Sequence, residues 1–219
     1  MKNRRKWLAL MLASLLFLSA CNSKDANPSA SAPISPAQQP GVTGNLICVE
    51  ISRFSGYFVE DGKDEKVQNV AAILVANNTG KYLELATVTY KVGERTATFL
   101  VTGLPSGKKV WVLESDRLTL ADGDELVLED CKETYNPNAV LTTQDLAVQR
   151  QGNSLTLTNT TDRKLSNVAM YYKNTLEDGT FMGGITYLIA FGDMEPGAAV
   201  TKLADHFGEN SEIVRYSYQ

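Results

Sequence analysis

Ile73-Leu74-Val75-Ala76-Asn77-Asn78-Thr79-Gly80-Lys81-Tyr82-Leu83-Glu84-Leu85-Ala86-Thr87-Val88-Thr89-Tyr90-Lys91 is the stretch that decides the fold. It reads as a strand, a tight Asn/Thr/Gly turn, and a second strand in which Ala86, Val88 and Tyr90 alternate with polar residues. A period of two places those three on one buried face. The same pattern returns without a gap at Leu155–Lys173, at an offset of 82 residues. Asn77 then falls on Asn159, Thr79 on Thr161, Leu83 on Leu165, Tyr90 on Tyr172 and Lys91 on Lys173. Further on, Leu104-Pro105-Ser106-Gly107 matches Met194-Glu195-Pro196-Gly197, with Val110 over Val200 and Leu113 over Leu203. The offset there is 90, so the second copy carries eight extra residues between the matched strands. Self-similarity at this period is the mark of a duplicated structural unit.

Outward from the repeat, short runs rich in Val, Ile, Leu, Thr and Tyr fill the chain from Asn45 onward. Leu46–Ile51, Val70–Val75, Leu83–Val92, Val110–Leu113 and Leu126–Leu128 are examples, separated by Gly, Asn, Asp and Pro. No apolar period of 3.6 is sustained, so the expected class is all-β. The expected architecture is two tandem antiparallel β-sandwiches, at 45–136 and 137–219, with Pro137 at the boundary.

The first 44 residues have a different texture. Lys2, Arg4, Arg5 and Lys6 precede an apolar run from Trp7 to Ala20. At 14 residues the run is shorter than the ~20 needed to span a bilayer and fits a secretory signal. It ends in Leu18-Ser19-Ala20-Cys21, which resembles the lipobox of bacterial lipoproteins. That resemblance implies cleavage before Cys21 and acylation of Cys21, with several acyl chains giving stable attachment where one is marginal. Residues 21–44 hold four of the seven prolines, with Ser, Ala, Gln and Asn between them, and read as a disordered tether. Such a tether would reach about 30 Å as a coil and about 70 Å if extended.

Charge narrows the partners. The chain has 21 Lys and Arg against 25 Asp and Glu, a net of −4. Residues 1–20 hold four basic and no acidic residues, so the processed chain has 17 against 25, a net of −8. An acidic body argues against nucleic acid as a partner. The membrane, through the lipid anchor, is the expected attachment, with another envelope protein or a glycan as partner. The two tandem modules resemble small FxLYD-like β-sandwich modules of Gram-positive surface lipoproteins in their Asn/Thr turn, aromatic strand and Pro-Gly turn. The Leu-Tyr-Asp signature itself is absent, and the resemblance implies a fold and a compartment without an activity.

Chemistry-bearing residues are few. Cys48 and Cys131 fall in the first and last strands of the first unit, and they are either a disulfide or two buried thiols. A bond would close a loop of about 83 residues and add roughly 3–5 kcal/mol. Glu60-Asp61-Gly62-Lys63-Asp64-Glu65, Asp122-Gly123-Asp124-Glu125 and Glu177-Asp178-Gly179 are acidic turns. They lack EF-hand spacing, and Asp-Gly is what tight turns require, so no metal is expected. No cofactor motif is present. His206 is the only histidine, and a base role in an envelope enzyme would need a Ser or Asp beside it. Gly183, Gly184, Tyr187 and His206 make up a candidate ligand face for a glycan or small solute; a bulge is the competing reading of the two glycines. The expected function is a membrane-anchored, non-enzymatic interaction or display module. A glycan or solute binder is the alternative.

Overall fold

The computed structural model describes residues 45–219 apart from Asp64, together with Ala30–Ser31 and Val42–Thr43. The signal peptide, Cys21 and most of the tether therefore lie outside the described residues. The described chain is all-β: no helix occurs in it. Its strands are β1 (Ala30–Ser31), β2 (Val42–Thr43), β3 (Leu46–Tyr57), β4 (Lys66–Asn77), β5 (Tyr82–Val92), β6 (Arg95–Leu104) and β7 (Lys109–Leu113). They continue with β8 (Val127–Asn136), β9 (Leu146–Gln151), β10 (Ser154–Asn159), β11 (Leu165–Thr175), β12 (Phe181–Met194), β13 (Ala199–Leu203) and β14 (Ser211–Ser217).

The repeat is visible in the pairing. In the first unit β3, β4 and β7 are neighbours and face a sheet ordered β6-β5-β8. In the second, β9, β10 and β13 face β12, β11 and β14 in the same relative order. Inward side chains of the facing sheets fill each core: Ile73, Val88, Phe99 and Val112 in one, Leu155, Leu157, Met170 and Ile189 in the other.

The matched asparagines hold each unit together. Asn77 and Asn159 are both fully buried. Asn77 Nδ2 donates to the carbonyls of Lys81 and Leu104, while its Oδ1 accepts from the Thr79 amide and hydroxyl. Asn159 makes the equivalent bonds to Arg163, Met194 and Thr161. One side chain thus satisfies backbone groups of two strands and the turn between them, so burying its amide carries little penalty.

The two units are interlocked. β7 at the edge of the first pairs in parallel with β12 of the second, Val110 opposite Phe181 and Trp111 opposite Met182. One sheet, β3-β4-β7-β12-β11-β14, consequently runs through both. The eight extra residues of the second copy explain how. In the first unit β5 and β6 are joined by the two-residue turn Gly93-Glu94, with Val92 opposite Arg95. In the second, the β11–β12 hairpin is longer, Thr175 pairs with Phe181, and the added arm reaches into the first unit. Phe181 is completely buried there, as part of the first core. The sequence boundary after Asn136 falls in the turn following β8, but the packing boundary crosses it.

Candidate functional site

Where the arm enters, the β11–β12 register slips between Tyr172 and Asn174, which face Tyr187 and Met182. Four residues of β12 therefore oppose Lys173 alone. The surplus backbone curls round the Lys173 ammonium, which donates to the carbonyls of Gly183 (3.1 Å), Gly184 (2.9 Å) and Ile185 (2.6 Å). Lys173 is fully buried, whereas its repeat partner Lys91 is exposed.

Glu60, from the β3–β4 connection, closes the other side. Its carboxylate accepts from the amides of Leu113 (2.8 Å), Gly184 (2.8 Å) and Ile185 (3.2 Å). Burial drives the two groups toward neutrality: it raises the Glu60 carboxyl and lowers the Lys173 ammonium. The amides and Lys173 oppose this at Glu60, as the Glu60 charge does at Lys173. Thr102 and Thr186 complete the joint; the Thr102 hydroxyl donates to the Gly184 carbonyl, and the Thr186 hydroxyl donates to the Thr102 carbonyl.

Gly184 has no alternative here. A Cβ on it would lie 1.9 Å from the Leu100 carbonyl oxygen. Gly183, at φ +91°, occupies backbone space that suits glycine.

Beside this joint lies a cleft of about 440 Å³ whose lining includes Glu60, Asp61, Glu65, Leu100, Arg117 and Ile185. Arg117 has a φ of +60° and stacks its guanidinium over Phe58 at 4.6 Å. It pairs with Asp61 and Glu65, both at 2.7 Å. The Lys63 amide, with Arg117, holds the Asp61 carboxyl below its ordinary value.

The candidate ligand face does not assemble as a surface. Gly183 and Gly184 are buried in the joint. Tyr187 and His206 instead belong to an aromatic ladder in the second unit. His206 stacks on Tyr187 at 5.1 Å, Tyr187 on Tyr172 at 5.1 Å, and Phe207 meets Tyr172 edge-on at 5.0 Å. His206 is its exposed end. Among the described residues no hydrogen-bond or ion-pair partner stands beside the His206 imidazole.

Cys48 and Cys131 are both thiols in the structure. They sit on facing sheets, and each has its own acceptor: Cys48 donates to the Glu50 carbonyl and Cys131 to the Glu133 carboxylate. Burial pushes the Cys48 thiol up, against the pull of Tyr90 and Glu50.

Among the described residues no cluster of three His, Cys, Asp or Glu is placed to hold a metal. The acidic turns use their carboxylates otherwise. Asp122 pairs with Arg53, Asp124 caps Ala121 and pairs with Arg95, and Asp178 caps Thr180.

Glu60 and Lys173 are what reading residue types misses. Glu60 looked like part of a surface turn and Lys173 like a strand lysine. The one signal that bore on them was the insertion that follows Lys173.

No family model matches the chain, and no curated protein matches it. Among solved structures it is similar to the C-terminal globular domain of an oligosaccharyltransferase from Pyrococcus abyssi, with 14% identity and a TM-score of 0.19. The match covers 80% of this chain and 46% of that one, so the chain spans about half of that structure's length. At that TM-score the likeness has no bearing on fold or function.

Proposed function

We propose that the chain is a bacterial cell-envelope lipoprotein, anchored through Cys21, whose interlocked body is a non-enzymatic interaction or display module. The observation that carries the second half is the use made of the buried charges. Glu60 and Lys173 are the kind of buried, shifted pair from which catalytic groups are drawn. Here Lys173 is saturated by backbone carbonyls of the arm and Glu60 by two amides of the arm and the Leu113 amide of β7, and their work is to hold two sandwiches as one piece. The anchor half is supported by the basic start, the short apolar run and Leu18-Ser19-Ala20-Cys21.

Metabolic labelling with a fatty acid tests the anchor: the native chain takes up label and Cys21→Ser does not, and labelling of the variant overturns the reading. Affinity capture from envelope extracts, with the processed chain as bait, tests the rest. A stoichiometric partner supports it, whereas turnover of an envelope substrate by the purified chain refutes it.

A glycan or small solute is the second reading, favoured by the Tyr172–Tyr187–His206 ladder ending at an exposed ring. Saccharide titration against Tyr187→Ala separates the two.

A further inference from the structure

The repeat has one strand position that is filled in the first unit and open in the second. β7 and β13 are the matched strands, with Val110 over Val200 and Leu113 over Leu203. Each pairs on one side with the central strand of its sheet in the same register, Leu113 opposite Ala72 and Leu203 opposite Ser154. On its other side β7 receives the arm, Phe181 and Met182 of β12. β13 receives no strand there: among the described residues it is the edge of the sheet β13-β10-β9. Exposure marks the difference. Val110 and Leu113 are completely buried, whereas Val200 is half-buried and Leu203 is 74% exposed. Ala199, Thr201 and Lys202 are exposed as well. The Leu113 amide points out from the edge of β7 and donates to Glu60. Strand alternation aims the matching amides of Ala199, Thr201 and Leu203 at the open edge of β13. Such a row is a template for an added strand.

The arm in the first unit says what such a strand must look like. Its parallel register puts Phe181 beside Val110 and Met182 beside Trp111, and the next step puts Gly183 beside Val112. β13 has Val200 where β7 has Val110, and Lys202 where β7 has Val112. Among the described residues no carboxylate pairs with the Lys202 ammonium. A strand that adds to β13 as β12 adds to β7 therefore needs an apolar residue against Val200 and, two residues on, a carboxylate against Lys202. The chain's own arm has Gly183 at that second position, and a second copy could lend it only by withdrawing Phe181 from its first core. The fitting occupant is thus an arm from a different protein.

We propose that the open edge of β13 is a docking site for a partner protein: it accepts, in parallel, an extended arm carrying an aromatic residue and an acidic residue two positions later. This deepens the interaction-module reading and rests on it. Backbone pairing supplies the affinity, and the Val200 and Lys202 positions supply the choice of partner. The partner continues from the second unit the row that the second unit continues from the first.

The probe is a fluorescein-labelled peptide with the sequence of residues 179–186 carrying Gly183→Glu, titrated into the lipidated chain in detergent micelles and read by anisotropy. The expected result is saturable binding with half-saturation below about 1 mM, together with severalfold slower hydrogen exchange at Ala199–Leu203. Thr201→Pro, which removes an amide aimed at the open edge, should abolish binding. Lys202→Glu, a change at an exposed side chain, should weaken it severalfold, and a peptide carrying Gly183→Lys should restore binding to that variant. No saturable binding up to about 5 mM, or binding indifferent to both Lys202→Glu and the peptide charge, overturns the proposal. Protection of Ala199–Leu203 that grows with protein concentration and needs no peptide overturns it equally, by giving the edge to a second copy. These failures leave the module reading standing if a stoichiometric partner is still captured, whereas turnover of an envelope substrate refutes that reading whatever the peptide does.

Discussion

Glu60 and Lys173 hold the same residue from opposite sides: the carboxylate takes the Gly184 amide at 2.8 Å, and the ammonium donates to the Gly184 carbonyl at 2.9 Å. The buried charges do not touch, and backbone of the arm lies between them. Burying a carboxylate and an ammonium costs several kcal/mol unless their hydrogen-bonding capacity is filled. Three amides fill one and three carbonyls the other, so the arm is a good fit only when both side chains are in place. The pair therefore fixes where the second unit sits on the first.

Removing the lysine should be far costlier than its position in a strand suggests. Lys173→Met leaves three carbonyls and the Glu60 carboxylate without their cation, at an expected loss of about 3–5 kcal/mol. Lys91→Met, at the equivalent site of the first unit, should change stability by no more than about 0.5 kcal/mol, because that side chain is exposed. Urea unfolding of the two variants gives the comparison. Equal effects would show that the joint does not depend on the ammonium.

The matched asparagines lead to the opposite expectation, of equal effects. Asn77→Ala and Asn159→Ala each unmake a buried network and strand the Leu104 or Met194 carbonyl. Each should lose about 3 kcal/mol, the penalty of stranded buried polar groups plus a lost side chain. Unequal losses in urea unfolding would mean that the two copies have diverged in what stabilises them.

This contrast shows what was legible in the sequence. Alternation, Asn/Thr turns and Pro-Gly turns are local signals, and the strands and the repeat could be read from them. The asparagines could be matched, but their burial could not, since a turn residue and a core clamp look alike in sequence. The insertion was countable at eight residues, yet its destination was not. Whether an arm folds back or docks elsewhere depends on partners such as Glu60, 124 residues from Gly184. Gly183 and Gly184 announced close approach without saying to what. The sequence left Cys48 and Cys131 as either a disulfide or two thiols for a related reason: two strands of one unit can face each other while each thiol has its own acceptor, as Glu50 and Glu133 are here.

Glu133 should give the fold an acid-sensitive element. Burial of its carboxyl works to raise it, but the Leu46 amide and the Asn45 side chain and amide outweigh that, so it lies below its ordinary value of 4.5. A carboxyl lowered by folding contributes stability that is full above the unfolded value and is lost as pH falls through the folded one. Glu133→Gln should therefore be less stable than the native chain at pH 7, with the gap narrowing as pH falls below about 4.5. Chemical unfolding at pH 7, 5, 4 and 3 measures the gap, and a constant gap would show that the charge plays no part.

Gly184→Ala tests the interlock with a single carbon. The methyl would fall 1.9 Å from the Leu100 carbonyl oxygen, on backbone that cannot move without opening the β5–β6 hairpin. The arm has the easier escape, but leaving withdraws Phe181 from the first core and strips Glu60 and Lys173 of their partners. Loss of the buried Phe181 ring is by itself a change of about 3–5 kcal/mol. The second unit keeps its own core, so the expected product is a partly opened molecule in which the Leu176–Thr180 loop becomes a preferred site of proteolytic cleavage. Gly179→Ala, at φ +80° with no atom within 4 Å of its added methyl, carries the backbone strain without the clash. Limited proteolysis should cut Gly184→Ala at that loop well before Gly179→Ala; indistinguishable digestion would mean that the close approach at Gly184 does not hold the arm.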